Sequence, residues 1–364
     1  MHCASLGEFE QGRPVLEALK EKHPDYQFAL SFFSPSGYEV RKNYPQADFV
    51  FYLPADSPSA AKRLLDMLNP RLVLWVKYEY WYYFLSEIHD RKIPLLLISG
   101  IFRKSQPFFK WYGGLWQKML RCFSVLFVQN EKSVQLLKSI GVENYVLAGD
   151  TRFDRVLSIA TAAPGIPLIE NWLQGRKALV AGSTWEEDII ELSHFIHKRN
   201  DIAFIIAPHE ILEENIRALQ KTFPGARLYS SLIADTASGN GSNILIVDNM
   251  GMLSVLYRYG NACFVGGGFT ANGVHNVLEA AVYGKPVLFG PEHQKFQETN
   301  DLIVYGGALS PTGPLELEKM LTELFSDELK MQTAGNAAGK YVRENQGATK
   351  KILEYIQRNR LLTN

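Results

Sequence analysis

Short apolar runs of strand length alternate with segments of helical period from one end of this chain to the other, and that alternation fixes the kind of fold it can adopt. In the first half the runs at 28–33, 49–53, 72–76, 94–99, 124–129 and 145–148 predict strands, with helices at 13–22, 57–68 and 131–140 between them. The second half repeats the scheme with strands at 178–182, 203–207, 244–247, 262–265 and 286–289. Strands separated by helices form βα units and hence parallel sheets covered on both faces. At roughly 150 residues per domain, 364 residues accommodate two such α/β, doubly wound, Rossmann-like domains. The stretch 160–175, with two prolines and two glycines, reads as the linker, which sets an N-terminal domain at 1–162 and a C-terminal domain at 163–345. Residues 346–364 read as a final helix that packs back on the N-terminal domain. The small polar stretch 234–242 reads as a surface loop.

Charge and cysteine usage then exclude several functions. The 38 Lys+Arg balance 38 Asp+Glu, which argues against a protein held to nucleic acid by general electrostatics. The balance hides an asymmetry: residues 1–155 hold 20 basic against 16 acidic side chains, and the remainder carries the matching deficit. Cys3, Cys122 and Cys263 are too scattered for a zinc site or a disulfide framework, and a reducing compartment is expected. No apolar window is long enough for a spanning helix, and Met1 to Glu8 lack the basic and apolar regions of a signal peptide.

In open α/β sheets ligands sit beyond the carboxyl ends of strands, where loops enter helices, so motifs there carry the most weight. The strongest lies in Cys263 to Pro291, where a buried strand runs into Gly266-Gly267-Gly268, a second turn at Asn272-Gly273 and a helix expected from Val274. Glycines let a backbone approach a ligand closely, and free N–H groups at a helix start attract a phosphate. Neither a Walker sequence nor GxGxxG is present. Glu279, one and a half turns into that helix, is placed to accept hydrogen bonds from a ribose diol. Ser183 and Thr184 end another strand, where hydroxyls either cap the next helix or bind an anion. His209, after Pro208, could reach a phosphate or base.

In the N-terminal half, Ser5-Leu6-Gly7-Glu8 leads into a helix expected to begin in earnest at Pro14. Glu8 is expected in a glycine-containing loop, where partial desolvation would raise a carboxylate toward the range of a general base. From 91 to 130 the chain has seven Lys/Arg and no Asp or Glu, interleaved with Phe102, Phe108, Phe109, Trp111, Tyr112, Trp116 and Phe123. Such a segment suits anionic headgroups over apolar depth, or single-stranded nucleic acid, or simply an aromatic core under solvated lysines.

Taken in order, Ala4-Ser5-Leu6-Gly7-Glu8, Gly182-Ser183-Thr184, Asp248-Asn249-Met250-Gly251, Phe264-Val265-Gly266-Gly267-Gly268, His275-Asn276-x-Leu278-Glu279 and Gly290-Pro291 resemble the 3-deoxy-D-manno-octulosonic acid (Kdo) transferases of lipopolysaccharide synthesis. The resemblance runs over nearly the whole chain. It implies a GT-B glycosyltransferase, two Rossmann-like domains facing across a cleft, that moves Kdo from CMP-Kdo to a lipid A precursor without metal or other cofactor. Glu8 matches the family's proposed base for in-line, inverting attack, and Glu279 its ribose-binding carboxylate. Gly267, Gly268, His275 and Asn276 match the donor loop, and Ser183, Thr184, His209 and Gly251 fall on the same donor side. The basic, aromatic segment, with Arg103, Lys104, Lys110 and Trp111, then becomes the contact with acceptor or membrane, and nucleic acid drops out as a partner.

Four stretches depart from the pattern. Lys77-Tyr78-Glu79-Tyr80-Trp81-Tyr82 stands for Glu-x-Glu-x-Trp-Pro, and Ser99-Gly100-Ile101-Phe102-Arg103 for Asn-Ala-Arg-Leu-Ser. Pro208-His209-Glu210 stands for Pro-Arg-His, and Ser183-Thr184-Trp185 for Ser-Thr-His. The family usually carries an N-terminal membrane anchor ahead of its first strand, whereas Met1 here falls almost inside that strand. The expectation is an enzyme on the cytoplasmic face of the inner membrane, peripheral or anchored by a segment absent from this chain. Two other readings remain open: a GT-B transferase with another nucleotide sugar and a lipid or glycan acceptor, and a non-catalytic lipid-binding derivative.

Overall fold

The computed structural model describes residues 1–77, 79–234 and 242–362. They divide into two compact units, Met1–Arg155 with Asn345–Asn364, and Val156–Glu344. Each is an α/β layer structure around one seven-stranded sheet.

In the first unit β1 (His2–Cys3), β2 (Ala29–Phe32), β3 (Phe49–Tyr52), β4 (Val73–Val76), β5 (Leu95–Gly100), β6 (Val125–Val128) and β7 (Tyr145–Leu147) run in the order β3-β2-β1-β4-β5-β6-β7. Every pairing is parallel. Helices cover both faces, so the central strands read as unbroken apolar runs; all of β5 and β6 is buried. One face packs Trp75, Leu97 and Leu126 under Phe84, Leu120 and Leu137, and the other packs Leu30, Val76, Ile98 and Phe127 under Phe9, Leu16 and Ile352.

The helix after β1 differs from expectation. It spans Leu6–Lys22, with Pro14 inside it rather than at its start. An interior proline costs about 3 kcal/mol through its missing N–H and ring clash. The capping box of Ser5 and Glu8 and the buried stripe Phe9, Val15, Leu16 and Leu19 nonetheless start the helix two turns earlier.

In the second unit β8 (Ala178–Thr184), β9 (Ala203–Pro208), β10 (Arg227–Leu228), β11 (Ile244–Ile246), β12 (Ala262–Val265), β13 (Val287–Leu288) and β14 (Ala308–Leu309) form the sheet β10-β11-β9-β8-β12-β13-β14, again all parallel. Every strand expected from the sequence is present. The two-residue strands β1, β10 and β14 show no apolar run in the sequence, and β1 is expected only from the family resemblance.

The segment read as a linker is largely helical. Thr151–Ala162 runs into it, and Pro167–Leu173, started by its proline, buries Ile169, Trp172 and Leu173. The chain passes between units inside the helix Thr151–Ala162 and returns after Glu344. The final helix, Ala348–Arg358, lies on the helix Leu6–Lys22 and buries Ile352 and Ile356 there. The Asp154 carboxylate accepts the N–H groups of Gly347 at 2.6 Å and Thr349 at 2.7 Å, holding that helix's start. The loop expected at 234–242 falls mostly outside the described residues.

Candidate active site

Each sheet reverses its strand order once, between β1 and β4 in the first unit and between β8 and β12 in the second. A crevice opens beyond the carboxyl ends at such a reversal, because the two crossover helices leave on opposite faces. The strongest sequence motifs flank these two points: Glu8 follows β1, Ser183 and Thr184 end β8, and the glycine loop follows β12.

In the second unit the loop is held by its own backbone and by one carboxylate. Gly266 N–H donates to Gly182 O at 2.9 Å, and His275 N–H donates back to Gly266 O at 3.0 Å. Gly267 has φ +90°, which a side chain rarely tolerates. At Gly268 a Cβ would lie 2.5 Å from the Gly290 amide nitrogen, so the two glycines let the loops after β12 and β13 touch. Asp188, fully buried, accepts the N–H groups of Gly267 at 2.8 Å and Trp185 at 2.9 Å through one oxygen. Burial pushes its carboxyl up, and the backbone N–H bonds only partly counter that.

The hydroxyls do not cap the next helix. Ser183 takes the left-handed conformation at φ +51°, where the β8–β9 register shifts, and Thr184 is buried with its Oγ1 lacking a hydrogen-bond partner among the described residues. The capping position falls instead to Trp185, whose N–H is met by Asp188. The indole Nε1–H of Trp185 donates to His275 Nε2 at 2.9 Å, and the ring of His209 stacks on both. Burial, and then the neighbouring His209, lower the pKa of His275 to about 4. Sequence reasoning picked His209 and His275 but missed Trp185 and Asp188. The Trp-x-x-Asp spacing at the helix start was the available signal.

Glu279 is placed differently from expectation. The helix begins at Leu278 and is one turn long, with residues 274–277 irregular, so Glu279 is its second residue. The Asn276 Nδ2–H group donates to Glu279 Oε1 at 3.0 Å, joining two predicted donor-side residues. Beneath them Tyr257 is buried, and burial first and Glu279 second push its phenol up. Gly251, at φ +88°, lies beyond β11, two strands from β8, and turns the chain toward the one-turn helix Leu253–Leu256.

In the first unit Glu8 is on the first turn of the helix, not in a loop. It is 8% exposed, and its Oε2 accepts the N–H groups of Ala4 at 2.5 Å and Ser5 at 3.2 Å. The carboxylate is thus fixed at the carboxyl end of β1. Among the described residues, nothing apart from its chain neighbours and the helix's own backbone lies within 4 Å of where a Gly7 Cβ would be. Lys77 after β4 and Ser99 in β5 both have positive φ, at +57° and +54°. Ser99 Oγ lies 2.9 Å from Thr151 Oγ1, and the Gln129 amide donates to Ser99 O at 3.1 Å. Burial would raise the Asp150 carboxyl, but Arg152, which bonds it at 2.7 and 2.8 Å, and Lys77 hold it below the usual range. Tyr78 lies outside the described residues.

The basic, aromatic segment splits into two parts. Phe102, Phe108 and Phe123 are core residues. Arg103, Lys104 and Lys110 are exposed, beside Trp111 at 97% and Tyr112 at 51% exposure. Among the described residues no group of His, Cys, Asp or Glu converges as a metal site, and no helix is long and apolar enough to cross a membrane. The three cysteines are unpaired.

Comparison with known proteins agrees with this layout. Residues 1–155 match the family described as 3-deoxy-D-manno-octulosonic-acid transferase (kdotransferase). A 3-deoxy-D-manno-octulosonic acid transferase of Aquifex aeolicus is 28% identical over 91% of this chain and 88% of its own length. One from Haemophilus influenzae is 25% identical over 99% of this chain and 87% of its own. In fold, the UDP-GlcNAc 2-epimerase from Neisseria meningitidis superposes with a TM-score of 0.67 at 18% identity, over 98% of each chain. The two doubly wound units are those of the GT-B fold. With the match over 1–155 and relatives aligned along nearly its whole length, the chain is similar to the Kdo transferases, as a glycosyltransferase enzyme.

Proposed function

We propose that this glycosyltransferase moves Kdo from CMP-Kdo to a lipid A precursor in lipopolysaccharide synthesis, with inversion, at the cytoplasmic face of the inner membrane. The observation that carries the donor half is the glycine loop 266–268, held by Asp188 beside Thr184, a buried hydroxyl with no partner among the described residues. Close backbone approach and available donors are what a nucleotide phosphate needs. In this reading Ser183, Thr184, Gly267, Gly268, His275 and Asn276 receive the CMP phosphate and sugar, Glu279 the ribose diol, and His209 and Gly251 the rim of the site.

The Glu8 carboxylate takes the proton of the acceptor hydroxyl. The freed oxygen forms a bond to the anomeric carbon as the bond from that carbon to the CMP phosphate oxygen breaks, and CMP leaves carrying the electron pair. Backbone amides and hydroxyls at the donor loop meet the charge that develops on the departing phosphate. Arg103, Lys104, Lys110 and Trp111 contact the anionic acceptor or the membrane that holds it.

His209, where the family pattern has arginine, favours a second reading in which the donor is another nucleotide sugar. Nucleotide preference separates the two. Ligand at 100 times its Kd adds about 2.7 kcal/mol to stability, so CMP raises the melting temperature and UDP leaves it unchanged if the first reading holds. Stabilisation by UDP alone overturns it.

A further inference from the structure

Trp185, His209 and His275 come from three separate segments, after β8, β9 and β12, and meet as flat rings. Trp185 and His275 are within 13° of coplanar with centroids 6.3 Å apart, joined edge to edge by the 2.9 Å bond from indole Nε1–H to imidazole Nε2. His209 covers the pair like a lid, 4.6 Å from the Trp185 ring and 4.3 Å from that of His275, at 27° and 18°. The main chain on either side is fixed as well. Trp185 N–H is held by Asp188, and His275 N–H by Gly266 O.

The chemistry of this bond has one solution. An indole N–H can only donate, so His275 Nε2 must present its lone pair. His275 is therefore neutral with its single ring proton on Nδ1. In a free imidazole the two tautomers exchange, and a ligand that needs one of them is weakened by the fraction of time spent in the other. Trp185 removes that cost.

We infer that Trp185 is a positioning residue for the donor phosphate: it locks the plane and the Nδ1–H tautomer of His275, so that a neutral imidazole N–H is preorganised for an oxyanion. The inference rests on the donor-site reading above. It also accounts for two of the four departures together: Trp185 takes the place of a smaller ring and His209 that of an arginine, and the two stack on one another.

The test uses full-length protein with 15N-labelled histidine, the His275 signals being assigned by their loss in His275→Gln. In the wild-type protein at neutral pH, long-range 15N spectra show His275 with Nδ1 protonated and Nε2 bare. In Trp185→Phe, which keeps a ring to stack on His209 but lacks the N–H, the Nε2–H tautomer appears. The Kd for CMP rises about threefold to tenfold, as expected from losing a preorganised tautomer, while that for cytidine, which has no phosphate, is unchanged. A wild-type spectrum with Nε2 protonated overturns the inference without any variant. An unchanged tautomer or unchanged CMP affinity in Trp185→Phe overturns it too, as does equal weakening of CMP and cytidine. Failure of the wild-type protein to bind CMP at all would instead bring down the donor-site reading on which it rests.

Discussion

Glu8 has a structural role in the fold and a proposed one as base, and a substitution must separate them. Its carboxylate closes the capping box on the Ala4 and Ser5 amides, and under the proposed mechanism it also takes the acceptor proton. A glutamine at this helix position still accepts those N–H groups. Glu8→Gln therefore keeps the fold and removes the base, lowering turnover by about 10²-fold or more with CMP affinity unchanged; a matching loss of CMP affinity would contradict the division of roles. The desolvated imidazoles of His275, half-buried, and His2, buried, give a second prediction. Burial holds His275 at about 4 against an ordinary 6.5, and burial, then the chain's amino terminus, hold His2 at about 3. The unfolded chain thus binds more protons below about pH 6.5, and stability falls as pH drops through that window. Thermal melts between pH 7.5 and 4.5 should show this decline, shallower in His275→Gln. An equal slope in the variant would mean that His275 does not contribute. At this scale the sequence singled out Ser183, Thr184, His209 and His275 as candidates by residue type and position after a strand, and the structure places them at the end of β8 and after β9 and β12. The sequence did not reveal Trp185 or Asp188, whose roles depend on partners 90 and 79 residues away.

The elements were legible where hydrophobic period is long and obscure where a single cap or a distant contact decides. The eleven strands expected from the sequence stood out as apolar runs, most continuous in central strands such as β5 and β6 that are covered on both faces. The start of the helix Leu6–Lys22 was hidden by Pro14, and the residues before Glu279 were read as helix although their backbone is spent on the loop bonds to Gly266 and Glu292. The helix Ala348–Arg358 carries no side-chain cap of its own and borrows Asp154 from elsewhere in the unit. Asp154→Ala should therefore cost about 1–2 kcal/mol, the usual scale for a lost N-terminal cap, read as a shift in the denaturant midpoint. No shift would show that the buried Ile352 and Ile356 alone hold this helix in place.

For the molecule as a whole, neutrality is a cancellation. The surplus of positive charge lies in residues 1–155, and its exposed part includes Arg103, Lys104 and Lys110 beside the exposed ring of Trp111. Each basic side chain near an anionic surface contributes about 1 kcal/mol, so removing all three as Arg103→Ala, Lys104→Ala and Lys110→Ala should weaken binding to phosphatidylglycerol vesicles by about two orders of magnitude at low salt. Unchanged vesicle binding would move the acceptor contact elsewhere. The central claim, however, is the transfer itself. It is tested most directly by incubating the protein with CMP-Kdo and a tetraacylated lipid A precursor and reading the product's mass. The account predicts a precursor heavier by one or more Kdo residues with the wild-type protein, and almost none in the same time with Glu8→Gln. An unchanged precursor mass from a protein that is folded and binds CMP would contradict it.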